Sequence, residues 1–153
     1  MKKTVPLLLV LALISACNGA ADPVPPALEA LEKLRAATEA KPTVETYNQL
    51  LAEAKDKVNT ASTNLPDGEL KRELNQALEA FVDAGAVWTE THGEDSFFTR
   101  LGAGKNLDSK YHFDKLSETE PGSMYAKRAE AMKKVWAIAR DHTAKAVALS
   151  KNK

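Results

Sequence analysis

The chain has 153 residues, a length that suits one domain with a single real core, and its 21 basic residues balance 21 acidic ones. No stretch is strongly basic, which argues against nucleic acid as a partner. A single cysteine, Cys17, excludes a disulfide, a cysteine-based zinc site and a thiol nucleophile from everything downstream of it.

Residues 1–16 have the three parts of an export signal. Lys2 and Lys3 supply the positive start, and Val5 through Ile14 form an apolar run interrupted only by Pro6. That run is too short to cross a hydrocarbon layer of ~30 Å, which needs about 20 apolar residues. It ends in Ile14-Ser15-Ala16-Cys17, where two small residues leave room for a peptidase. This segment resembles the lipobox of bacterial lipoproteins. The resemblance implies cleavage before Cys17, a diacylglyceryl thioether on its sulfur and acylation of the new amine. A thioether would also remove the oxidation hazard of a lone exported thiol. There is no twin-arginine pair, which points to export by the general route. Asn18 replaces the Asp that retains lipoproteins in the inner membrane of enteric bacteria, so the expected address is the outer membrane, facing the periplasm, in a Gram-negative cell.

Without residues 1–16, 137 residues remain with a net charge of −2, because Lys2 and Lys3 leave and no acid does. No polybasic cluster adds attraction to a membrane. Lipid on Cys17 would suffice for anchoring by itself. Residues 17–26 read as the lipidated cysteine and a short proline-rich tether, and residues 27–153 as a single helical domain. The nine residues from Asn18 to Pro26 reach at most ~30 Å when extended.

Four amphipathic segments follow, with apolar residues in steps of three and four. The first is predicted over about 26–40, with Leu28, Leu31, Leu34 and Thr38 on its stripe. Lys41-Pro42 breaks it and Thr43 can cap the next, over about 43–62, which carries Val44, Tyr47, Leu51, Ala54, Val58 and Ala61. The third, over about 67–91, carries Leu70, Leu74, Ala77, Leu78, Phe81, Gly85 and Trp88. The last, over about 123–149, carries Tyr125, Ala129, Met132, Val135, Trp136, Ala139, Thr143 and Ala146. The expected fold is all-α, an antiparallel four-helix bundle with a long, partly helical crossover at about 92–122 between the third and fourth helices. Short helices are predicted within it near 96–101 and 107–116.

Motifs that carry chemistry are lacking. Gly102-Ala103-Gly104-Lys105 glances at a phosphate loop, but Thr99 and Asn106 stand where glycine and Ser or Thr are needed. None of His92, His112 and His142 has a Glu three residues earlier, so the ligand pairs of di-iron bundles are missing. No zinc helix, covalent-haem motif or serine elbow occurs. His92, Glu94 and Asp95 lie close together, but a solvated loop explains them better than a metal ion. No enzyme activity and no cofactor is expected.

The leading expectation is therefore a lipid-anchored envelope protein that binds another envelope protein or helps build an assembly. The alternative is a periplasmic ligand- or cofactor-binding bundle. The crossover concentrates histidines, aromatics and glycines outside any regular stripe, so His92, Phe97, Phe98, Tyr111, His112 and Phe113 are the candidate interaction surface. The competing explanation is a hydrophobic lid on the end of the bundle.

Overall fold

The computed structural model describes residues 22–89, 91–92, 97–100, 104–116 and 125–152. The signal segment and Cys17 lie outside them. Among the described residues the chain is all-α, with five helices and three very short strands.

Helix α1 spans Val24–Glu39. Pro23 stands at its N-cap, and just before it Asp22 Oδ1 accepts from the Val24 amide at 3.0 Å. Pro25 and Pro26 fall in the first turn, where no backbone donor is needed. The helix thus takes in three residues that the sequence reading assigns to the tether. Its buried stripe is Val24, Ala27, Ala30, Leu31, Leu34 and Thr38, while Leu28 is only half-buried. The Thr38 hydroxyl donates to Arg35 O at 2.7 Å, so the one polar member of the stripe is satisfied. Lys41 follows with φ 53°, a left-handed residue beyond the helix end, and Pro42 prevents continuation.

Helix α2 spans Val44–Asn64, capped by Thr43, whose hydroxyl accepts from the Thr46 amide at 3.2 Å. Tyr47, Leu51, Ala54, Val58 and Ala61 are buried as the spacing predicts, and Val44 alone departs from the stripe, being exposed. Helix α3 spans Glu69–Thr89 and buries Leu70, Leu74, Ala77, Leu78, Phe81, Ala84 and Val87. Helix α4, Lys105–Tyr111, ends at His112 and runs into a 3-10 turn over Phe113–Lys115. Helix α5 spans Arg128–Ser150 and buries Ala131, Met132, Val135, Ala139, Thr143 and Ala146. The long helices pack α1 on α2, α2 on α3, α3 on α5 and α5 on α1, which closes a shared core around Tyr47, Phe81, Leu31, Leu34 and Leu74.

Two predicted elements are corrected. The helix near 96–101 is, where described, strand β2 (Phe97–Thr99), and the residues 125–127 assigned to the last helix form strand β3 (Tyr125–Lys127). With β1 (Thr91–His92) they make an antiparallel sheet in the order β1-β2-β3, pairing Thr91 with Phe98 and Phe98 with Ala126. Two phenylalanines and a threonine favour extended backbone, and pairing on both sides of β2 supplies what propensity alone does not. Tyr125 is correspondingly exposed instead of lying on the stripe of α5, and Ala129 is exposed one turn later.

Candidate ligand cleft

The six residues of the expected interaction surface do not form one surface. The backbones of His92, Phe97 and Phe98 lie in β1 and β2, with His92 opposite Phe97, and their side chains lie outside the described part of the structure. Tyr111 and Phe113 are removed as surface candidates by burial, at 4% and 0% exposure. Their rings stack at 5.9 Å and form part of the core. The inward pull is anchored by charge: the Tyr111 hydroxyl donates to Asp83 at 2.7 Å, and Lys110 Nζ meets Glu79 at 2.6 Å and Asp83 at 2.7 Å. Burial opposes the charge on Lys110, but the carboxylates of Asp83 and Glu79 outweigh it and hold the ammonium proton well above its usual range. Of the three candidates whose side chains are described, His112 alone is exposed, held in a left-handed conformation at the end of α4.

A recess lies elsewhere among the described residues, between the end of α1, the end of α3 and the first half of α5. It is an open-sided cleft of about 700 Å³, within the usual range for small-ligand sites. Its apolar wall is Trp88, Met132 and Trp136, and its rim holds Lys41, Arg128, Lys133 and Arg140 against one acid, Glu39. Trp88 and Trp136 meet nearly edge to face, with ring centres 6.0 Å apart. Behind them Tyr47 sits 5.5 Å from Trp88 and 6.1 Å from Trp136.

A short relay of hydrogen bonds fixes this wall. Trp136 Nε1 donates to Tyr47 Oη at 3.4 Å, and that hydroxyl donates to Phe81 O at 2.7 Å. Burial raises the Tyr47 phenol well above its ordinary pKa, the contact from Trp136 working weakly the other way. The Trp136 indole is therefore orientated by a neutral, buried hydroxyl, and Trp88 packs against both the Tyr47 and Trp136 rings.

The charges around the cleft are uneven. Glu39 already faces Arg35 at 3.4 Å. Lys41, Arg128, Lys133 and Arg140 have no carboxylate partner among the described residues. The lining contains no histidine, cysteine or serine, and its one buried hydroxyl, Thr38, is engaged with Arg35 O. Such a set can hold a ligand; it offers no paired acid and base. His142, the third histidine, is occupied with Glu73 on the α3–α5 contact. Among the described residues, no three His, Cys, Asp or Glu side chains gather as a metal site, and no helix is long and apolar enough to cross a membrane.

Periodicity assigns Trp88, Met132 and Trp136 to the core; Met132 is buried there, whereas Trp88 and Trp136 are half-buried at its edge. The signal that could have separated them was the run of basic residues on the same face of α5. No protein-family model matches the chain, and neither the curated proteins nor the solved structures compared with it give a match.

Proposed function

We propose that the chain is a non-enzymatic envelope lipoprotein, anchored through lipid on Cys17, whose helices form an antiparallel four-helix bundle that binds a small ligand in the Trp88–Trp136 cleft. The cleft carries the reading. An open recess of about 700 Å³ with two half-buried indoles has a built wall, and wall residues fixed by hydrogen bonds are the mark of a preorganised site. The anchor rests on the Ile14-Ser15-Ala16-Cys17 run, and the outer membrane facing the periplasm rests on Asn18. Docking of another envelope protein at the crossover has less support, since burial of Tyr111 and Phe113 takes away two of its aromatic anchors.

A photo-crosslinking residue placed at Lys133, on the cleft rim, and separately at His112, on the crossover, tests this in cells. An adduct of small-molecule mass at position 133, with none at 112, is the expected result. A protein-sized adduct at 112 and none at 133 would reverse the ranking.

A further inference from the structure

We infer that the ligand of this cleft is a planar aromatic anion, its rings against Trp88, Met132 and Trp136 and its acidic groups held by Arg128, Lys133 and Arg140. This rests on the cleft being a binding site and adds what it selects.

The chain has equal numbers of acids and bases, and several of them pair along and between its helices. Lys33 meets Glu29 and Glu53, Lys71 meets Asp67, Lys110 meets Glu79 and Asp83, and Lys145 meets Asp141. The arginines are more telling. Of the five, Arg35, Arg72 and Arg100 hold carboxylates, whereas Arg128 and Arg140 hold none among the described residues, and both line the cleft. Guanidinium forks match carboxylate, sulfonate and phosphate groups with two parallel bonds. Two half-buried, unmatched forks on one recess are therefore a demand for anions.

Placement supports the same conclusion. Ala129, Met132, Trp136 and Arg140 follow one another on α5 in steps of three and four, so they share a face, and Lys133 lies beside Met132. From Arg128 to Arg140 the helix rises ~18 Å. Cations thus stand at both ends of the wall and beside its middle, while the apolar surface lies between them. Lys41 adds a charge from the end of α1. A neutral aromatic would fill the wall and leave four cations with water alone; an aliphatic cation would be repelled. A flat body with acidic groups at its edge uses both.

The test uses the full chain in phosphatidylcholine vesicles, with protein-free vesicles as blank. The chain has two tryptophans, and both line the cleft, so energy transfer from tryptophan reports on it alone. The probes are anilinonaphthalene sulfonate and phenylnaphthylamine, the same aromatic body with and without the acid. Saturable transfer to the sulfonate is expected at least about tenfold tighter than to the neutral amine, equivalent to ~1.4 kcal/mol. The double variant Arg128→Gln/Arg140→Gln should remove that advantage while leaving the amine's binding within about twofold, with an unchanged helical melt as the folding control. Equal binding of the two probes overturns the inference and leaves the cleft a site for neutral ligands. Saturable transfer to neither probe overturns both the inference and the binding reading beneath it.

Discussion

His142 Nδ1 lies 2.7 Å from Glu73 Oε2, across the contact between α5 and α3, and Glu73 is only 5% exposed. A carboxylate so placed depends on its few partners. The other oxygen has Arg72 at 3.5 Å, a long contact from an exposed side chain. His142→Ala should therefore strand a buried acid and cost about 1–3 kcal/mol. Glu73→Gln keeps an acceptor for the imidazole and should cost less. Urea unfolding of both variants checks the order, as a shift in midpoint at unchanged slope. Equal midpoints for the two variants would show that the ring and the carboxylate do not depend on each other.

The phenols of Tyr47 and Tyr111 give a pH prediction. Burial raises both above the ordinary phenol value, and Tyr111 gains further from its bond to Asp83. The native state thus holds two protons that the unfolded chain releases near pH ~10. Their contribution is fully present below that pH and declines as pH rises toward the folded values, so stability should fall on the alkaline side. Ultraviolet titration should show these two phenolates forming late, together with loss of helix. Tyr47→Phe and Tyr111→Phe assign each step; ionisation of both at the free-tyrosine pH with helix intact would contradict the burial argument.

His112 adopts φ 53° and ψ 57° at the end of α4, a region costly for a residue with a Cβ. His112→Gly should stabilise the protein by up to about 1 kcal/mol, part of the relieved strain being offset by glycine's greater freedom when unfolded. Thermal melts of the two proteins measure it. A destabilised glycine variant would mean that the exposed imidazole contributes something the backbone geometry does not reveal.

Large core side chains should divide by burial. Phe81 is fully buried, so Phe81→Ala should cost ~3–5 kcal/mol. Trp136 is half-buried and faces the cleft, so Trp136→Ala should cost distinctly less despite removing more atoms. Denaturant curves decide between them. A larger loss at Trp136 would make it a core residue and the cleft a packing defect.

The anchor is tested by Cys17→Ser. Cells grown with labelled palmitate should label the parent chain and leave the variant unlabelled and unprocessed. Label on the serine variant would remove the basis for membrane attachment through this residue.

Helix α2 was nearly legible from spacing alone, because each of its inward positions is apolar or Tyr47 and most others are polar. Helix α1 was legible in extent and in most of its stripe, Leu31, Leu34 and Thr38 being buried as expected; only Leu28 departs, and Ala27 and Ala30, which are buried, carry too little hydropathy to be picked out. The strands were hidden, since among the described residues no strand exceeds three residues and two or three positions cannot display an alternation. The cleft was hidden for a different reason. A tryptophan at the edge of a stripe has the same spacing as one at its centre, so periodicity placed Trp88 and Trp136 in the core. The unmatched arginines could not be recognised either, because whether a cation is matched depends on partners as distant in sequence as Glu73 is from His142.

The sheet has a topological consequence. Strand β1 begins two residues after α3 ends, and β3 runs directly into α5. Both flank β2, so the chain leaves α3 and re-enters α5 at points about 10 Å apart, two strand spacings. An excursion that departs and returns at neighbouring points can change length without displacing the helices that bracket it. Relatives of this chain could therefore differ widely between α3 and α5 and still superimpose elsewhere, and an engineer could splice a foreign segment there. The restriction on such a splice is local: the grip of Lys110 and Tyr111 on Asp83 must be kept or replaced by equivalent packing.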